Sequence, residues 1–268
     1  MSATEPGRAF LDELAGATPI VIVHNSGHSA YFNTAAAVAA GIDRDTPDPA
    51  GASFGRDAAG ELTGVAVEER AVSAVVAPLM RVIAPEIGRL LAEHFADLSR
   101  RGYTTVADLS WDAALGVAVA GLREADRLPV RLRWYEMSRP GGTPGVRGTG
   151  DDLVRQVGVK TWSDGSPWIG NIAASFPYLD TAATRSLGLE AGHIGHANYT
   201  PDELLEIAEP YAAAGWQLAC HAHGDVAIDQ TLDVYEELIR RHGLSDHRYR
   251  LEHVGAMTPA QFERAAAL

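Results

Sequence analysis

Five short runs of β-branched and apolar residues, at 103–109, 130–135, 157–162, 217–221 and 249–253, stand out along the chain. Runs of this length between turn residues read as buried strands, and helical patterns separate most of them. With Val106, Leu132, Lys160, Ala219 and Leu251 as strand centres, the steps are 26, 28, 59 and 32 residues. Three of the four match the roughly 30 residues per strand–helix unit that an eightfold barrel of about 250 residues implies. The long step holds an insertion, 165–200, carrying Gly, Pro, Asn and Ser with weak helical periodicity, before Pro201 opens the helix in TPDELLEIAEPYAAAG. Barrels place their active-site loops after strand C-terminal ends, so both a lid and a packing loop are open readings of it.

The first third has another rhythm. PIVIVHNSGHSAYFNTAAAVAAGI reads as a strand, a turn and an alanine-rich helix, with local hydrogen bonding by Asn25 and Ser26 sufficient for the turn. DRDTPDPAGASFGRDAAGEL, dense in Pro, Gly and Asp, suggests turns or a small hairpin rather than a barrel unit. A subdomain boundary is expected near residues 75 to 85. The organisation is then an N-terminal subdomain at 1–80 and a barrel region at 81–268. No internal repeat stands out.

Hydrophobic residues make up 46% of the 268 and charged residues 21%, the profile of a globular enzyme. A net charge of -13 repels nucleic acid and anionic membrane surfaces, so neither is expected as a partner. The first twenty residues lack a basic start followed by an apolar run, and no uninterrupted apolar stretch reaches the roughly 18 residues of a membrane helix. One cysteine, Cys220, excludes an intrachain disulfide framework and suits a reducing cytoplasm. A small-molecule substrate is the expected partner, and a homo-oligomer is left open.

Chemistry concentrates at strand ends. In GVKTWSDGS, alternation puts Val159 and Thr161 on the face opposite Lys160, which points either into the barrel or toward its helices. A buried ammonium is costly unless paired or modified, and its two functional escapes are a Schiff base and carbamylation by CO2. A surface lysine at a strand end is the plain alternative. His221 ends WQLAC and His253 ends RYRLE, 32 residues apart, about one barrel unit. Adjacent strands lie about 4.8 Å apart, so imidazoles at equivalent heights can share one metal ion. His223 and Asp225, in the loop after His221, can orient a ligand or bind substrate, although Asp225 equally suits a helix cap. His28, with His24 across a turn, and Trp168 and Tyr178 in the insertion are candidate substrate contacts. His193 and His196 lack further ligands, and Cys220 points away from His221 into the core.

Taken in order, PIVIVHNSGHSAYFNTAAAVAAGI, GELTGVAVEE, RGYTTVADLS, GVKTWSDGS, GWQLACHAHGDVAIDQTLDVYE and RYRLEHV resemble segments of the metal-dependent amidohydrolase superfamily. The branch is amidohydrolase family 3, which includes N-substituted formamide deformylases. The resemblance implies an α/β fold, an incomplete (β/α)8 TIM barrel covering about strands 2 to 6, with the N-terminal insert subdomain lying between strands 1 and 2. By the same resemblance Lys160 corresponds to a fourth-strand lysine, often carbamylated to bridge two metals, and His221 and His253 to fifth- and sixth-strand ligands. The cofactor is then one or two divalent ions, zinc by preference. The activity implied is hydrolysis of an amide or other non-peptide C–N bond by metal-hydroxide attack. The family's first-strand His-x-His and eighth-strand aspartate have no counterpart between MSATEPG and FERAAAL, so the expectation is a truncated form whose catalytic base lies elsewhere. Two other classes remain: a non-catalytic binding or regulatory fragment with a hydrolase-like fold, and a Schiff-base lyase using Lys160.

Overall fold

The structure, a computed structural model, describes residues 6–24, 27–111, 113–138 and 141–268; the turn bonding expected of Asn25 and Ser26 lies outside them. The chain divides into two compact units, Met1–Glu86 and Ile87–Leu268.

The first unit runs α1 (Arg8–Ala15), β1 (Val21–Val23), β2 (Ser29–Phe32), α2 (Thr34–Ala40), β3 (Ser53–Arg56), β4 (Leu62–Val67) and α3 (Glu69–Ile83). Its strands form an antiparallel sheet in the order β1-β2-β4-β3. In β4, LTGVAV alternates buried and half-buried positions, as one covered sheet face requires. That face, with Phe32, Phe54 and Leu62, packs against Ala71, Val72 and Val75 of α3. Asn33 caps α2 by accepting from the Ala36 amide; its side chain also accepts from Ile20 N and donates to Thr18 O, which ties the helix to the segment leading into β1. The Pro- and Gly-rich tract closes as the β3–β4 hairpin.

The second unit continues with α4 (Ile87–Arg100), β5 (Thr105–Trp111), α5 (Ala113–Glu124), β6 (Arg131–Met137) and β7 (Val154–Trp162). It then runs α6 (Ala182–Ser186), α7 (Pro201–Ala213), β8 (Gln217–Ala222), α8 (Asp225–His242), β9 (Arg250–His253) and α9 (Pro259–Ala267). The five strands form one parallel sheet in sequence order, β5-β6-β7-β8-β9, a half-barrel. All five runs read from the sequence are strands, with ends moved by up to three residues. β8, buried along nearly its whole length, has the continuous apolar character of a strand covered on both faces. Thr200 and Glu203 form a capping box with Pro201 at the first turn of α7, and Thr258, Gln261 and Pro259 repeat the device in α9. The helix layer over β7 and β8 is sealed by Val159, Leu204, Tyr211, Leu218, Cys220 and Leu238.

One helical stretch among the described residues, Glu69–Arg100, matches a membrane span by length and composition, with mean hydropathy 1.5 over an 18-residue window and 17% of it buried. A search for an uninterrupted apolar run misses it because Arg81 and Glu86 interrupt the pattern.

Candidate metal centre

The candidate chemistry gathers at the C-terminal ends of β7, β8 and β9. Val159 faces the helix layer, so alternation turns Lys160 to the opposite, concave face of the sheet. There the lysine is 4% exposed, its Nζ donates to the Thr161 carbonyl at 3.1 Å, and it lies 4.0 Å from the centre of the Trp162 ring. The carbonyl and the π face offset part of the ammonium's lost hydration. Burial still dominates and pushes the amine down to about 8, against an opposing pull from Cys220, Glu252 and Asp164. The plain alternative, a surface lysine, does not describe this position. In the β7–β8 register Lys160 pairs with Ala219, two residues before His221, so its backbone enters the concave face roughly 7 Å below that of His221.

His221 is 4% exposed, and desolvation drives its imidazole down to about 3, so it is neutral near pH 7. Its Nε2 lies 2.8 Å from the Gly165 carbonyl. A carbonyl only accepts, so Nε2 carries the proton and Nδ1 carries the lone pair. Asp164 Oδ1 stands 3.8 Å from Nε2, and with the ring neutral this approach is not an ion pair.

Asp164 was not singled out by the sequence, yet it organises the region. Fully buried, it accepts from three backbone amides: His223 N at 2.9 Å, Gly224 N at 2.8 Å and Ala173 N at 3.1 Å. One carboxylate thus pins the loop after β8 to the insertion after β7, through charge-assisted hydrogen bonds in a dry environment. Gly224 makes this approach sterically feasible, because a Cβ there would sit 1.9 Å from the Ala173 oxygen. The signal available in the sequence was an Asp-Gly pair directly after a strand, which turn propensity alone explains.

The register pairs His221 with Glu252, not with His253, which lies opposite Ala222. Regular alternation would put the His221 and His253 side chains on opposite faces. Instead His253 and Val254 both adopt positive φ, 76° and 50°. For non-glycine residues, and for a β-branched one above all, this is strained backbone. The turn is held by Val254 N donating to the Ala222 and Glu252 carbonyls, each at 3.1 Å. The result is that the His253 ring lies 4.6 Å from that of His221 and stacks on that of His223 at 4.7 Å and 9°. The His221 and His223 rings are 5.0 Å apart.

One candidate ligand nitrogen from each of His221, His223 and His253 lies within 4.8 Å of the other two, a grouping that runs from buried through half-buried to exposed. Tetrahedral binding at about 2.1 Å requires nitrogens roughly 3.4 Å apart, so side-chain rotation of about an ångström is enough to close the set. Neutral imidazoles are the right donors for a borderline-soft divalent ion. The residues therefore fit a metal.

Other candidates fall elsewhere. Asp225 does not cap α8, whose N-cap is Gly224; its carboxylate accepts from Ser175 N at 2.8 Å and from the Ser175 hydroxyl. The Tyr178 hydroxyl accepts from Ile172 N at 3.2 Å, and its ring meets His193, which bonds the Gly170 carbonyl. Trp168 is 61% exposed. The insertion is thus stitched to itself and to β8 through Asp164, the behaviour of a packed loop that also presents an apolar side chain. In the other unit, His28 Nδ1 lies 2.8 Å from Glu68 Oε2, and Glu68 itself has φ 70°. Cys220 is buried in the helix-side core.

The model of the amidohydrolase family matches residues 2–268. Protein LONG AFTER FAR-RED 3 of Arabidopsis thaliana is 28% identical over 288 residues, covering 98% of this chain and 46% of its own. N-substituted formamide deformylase of Arthrobacter pascens is also 28% identical, over 279 residues, covering 98% of this chain and 49% of its own. An uncharacterized metal-dependent hydrolase from Pyrococcus horikoshii OT3, solved by crystallography, shares the fold with a TM-score of 0.67 at 21% identity, over 98% of this chain and 49% of that one. The chain spans about half the length of the relatives it matches.

Proposed function

Since the chain belongs to the amidohydrolase family, we propose that it carries the metal-binding strand ends of a hydrolase that cleaves an amide or other non-peptide C–N bond in a small molecule. The observation that carries this reading is the convergence of imidazoles at the ends of β8 and β9, beside a buried lysine on β7. Lys160, His221 and His253 would hold one or two divalent ions, zinc by preference. Such an ion supplies Lewis acidity toward a carbonyl and acidifies a water molecule.

The chain's own residues have separable tasks. Burial keeps His221 neutral and the Gly165 carbonyl holds its proton on Nε2, which leaves Nδ1 as the donor. The strained turn at His253 and Val254 aims the second imidazole before any ligand arrives, so less ordering is required on binding. Lys160 is proposed to be carbamylated in the working enzyme: a buried amine drawn toward about 8 has a reactive neutral fraction at physiological pH, and the modification replaces a buried cation by an anionic oxygen ligand. Trp168, with exposed aromatic surface, is the proposed apolar contact for substrate. The proposed setting is cytoplasmic.

The test is metal analysis of the purified chain and of any longer product of the same gene, with a panel of N-formyl and N-acyl amines as substrates. Metal-dependent release of amine supports the reading; stoichiometric metal with no turnover on any C–N substrate by the longer product refutes it.

A further inference from the structure

We propose that His223 is itself a metal ligand, so that His221, His223 and His253 form a three-imidazole site for a single divalent transition-metal ion, complete within β8, β9 and the loops that follow them. The inference rests on the preceding reading only in taking these strand ends to bind metal. It differs in giving the first ion three neutral donors and in leaving Lys160 out of its coordination.

Four observations carry it. The donor nitrogens of the three histidines already lie within 4.8 Å of one another. The backbone bearing His223 is immobilised on both sides: Asp164 accepts from its amide and from that of Gly224, while the His223 carbonyl accepts from Ala256 N at 2.9 Å. This last bond ties the loop after β8 to the loop after β9, so His223 and His253 are carried by one fixed assembly. Gly255 leaves the room the His223 ring occupies, since a Cβ there would come within 2.9 Å of Nδ1. Finally, the positive φ angles fall on His253 and Val254, the pair that turns the third imidazole toward the other two. Strain of order 1–3 kcal/mol per residue persists where surrounding structure over-determines it, commonly at binding sites.

Sequence spacing makes His223 eligible as well. Two residues beyond His221, it falls on the same side of an extended chain, whereas a single-residue offset would not. The parallel His223 and His253 rings must tilt to share an ion, a χ2 rotation that half-buried and exposed side chains can make. Three neutral imidazoles leave the ion its full charge and an open coordination position, the arrangement that accepts water or a small anion. The donor set suits zinc, cobalt, nickel or copper and does not suit magnesium or calcium, which take oxygen ligands.

The experiment titrates the metal-free 268-residue chain with Co(II), following d–d absorption and stoichiometry, beside His223→Ala, His223→Gln, His221→Ala and Lys160→Met. Expected are one Co(II) per chain, binding weakened about tenfold or more in both His223 variants and in His221→Ala, and a smaller loss in Lys160→Met than in either His223 variant. Zinc added to the uniformly 15N-labelled wild-type chain should shift the imidazole 15N resonances of His221, His223 and His253 together, a readout that needs no variant to fold. Co(II) binding that survives both His223 variants while Lys160→Met abolishes it overturns the inference and leaves the hydrolase reading standing. Binding indifferent to His221 as well as His223 overturns both. Failure of the wild-type chain to bind Co(II) overturns the self-contained site alone.

Discussion

Replacement of Asp164 by asparagine tests how the site is positioned. The side chain is fully buried and receives His223 N on Oδ1 and both Gly224 N and Ala173 N on Oδ2. Asparagine has the same shape but only one acceptor oxygen. Its better orientation keeps that oxygen at the Oδ2 position and turns the amide group toward His223 N, a donor facing a donor. One charge-assisted hydrogen bond, about 1.5–3 kcal/mol, is then lost, and the other two weaken toward the roughly 1 kcal/mol of neutral bonds. The expected destabilisation is about 3–4 kcal/mol. Against a typical total of about 5–15 kcal/mol the variant still folds, whereas Asp164→Ala, which strands all three donors, is much less secure. Urea unfolding followed by tryptophan fluorescence measures the loss, and native-state hydrogen exchange at the His223, Gly224 and Ala173 amides localises it. Stability within about 0.5 kcal/mol of wild type, with those three amides equally protected, would show that the carboxylate does not organise the two loops.

Acid should destabilise the metal-free chain through His221. Its folded value of about 3 lies below the 6.5 of a free imidazole, so between those limits the unfolded chain binds a proton the folded chain refuses. Stability therefore falls as pH drops, by about 2 kcal/mol between pH 7.5 and 5, and His221→Gln should remove that part of the slope in paired urea titrations. Gly224→Ala should cost at least about 2–3 kcal/mol, because its Cβ meets the Ala173 backbone at 1.9 Å, and an unchanged melting curve would contradict the close approach. In a longer, active product, Lys160→Ala should abolish turnover with partial rescue by added short carboxylates; full activity without them would make the lysine structural. Borohydride with a carbonyl compound should leave the mass of the chain unchanged, and a trapped adduct on Lys160 would favour the Schiff-base class instead.

Much of the second unit was legible because parallel strands buried on both faces have no polar positions to break their apolar runs. That is why 217–221 pointed to β8, whereas β9, with the polar and only half-buried sequence Arg-Leu-Glu-His, was read from its spacing one unit beyond β8. Pro201 marked the start of α7 because helix-opening residues are local chemistry, while the capping boxes at Thr200 and Thr258 came into view with the structure. Asp225 misled because a carboxylate at a helix start is usually a cap. Here Gly224 takes that place, and Asp225 instead binds Ser175, fifty residues away in sequence.

What the sequence determined by itself is the succession of strand–helix units, a separate N-terminal piece and the arrival of Lys160, His221 and His253 at successive strand ends, because periodicity and spacing act over a few residues at a time. What only the tertiary structure decided is which groups meet. Alternation would have sent His253 away from His221, and two residues of positive φ, held by a bond to Ala222, turn it back. Asp164 acquires its role only when Ala173, His223 and Gly224 present their amides to it from two different loops. Backbone donors look alike at every position of a sequence, so a carboxylate that depends on them becomes visible only once the chain has brought them together.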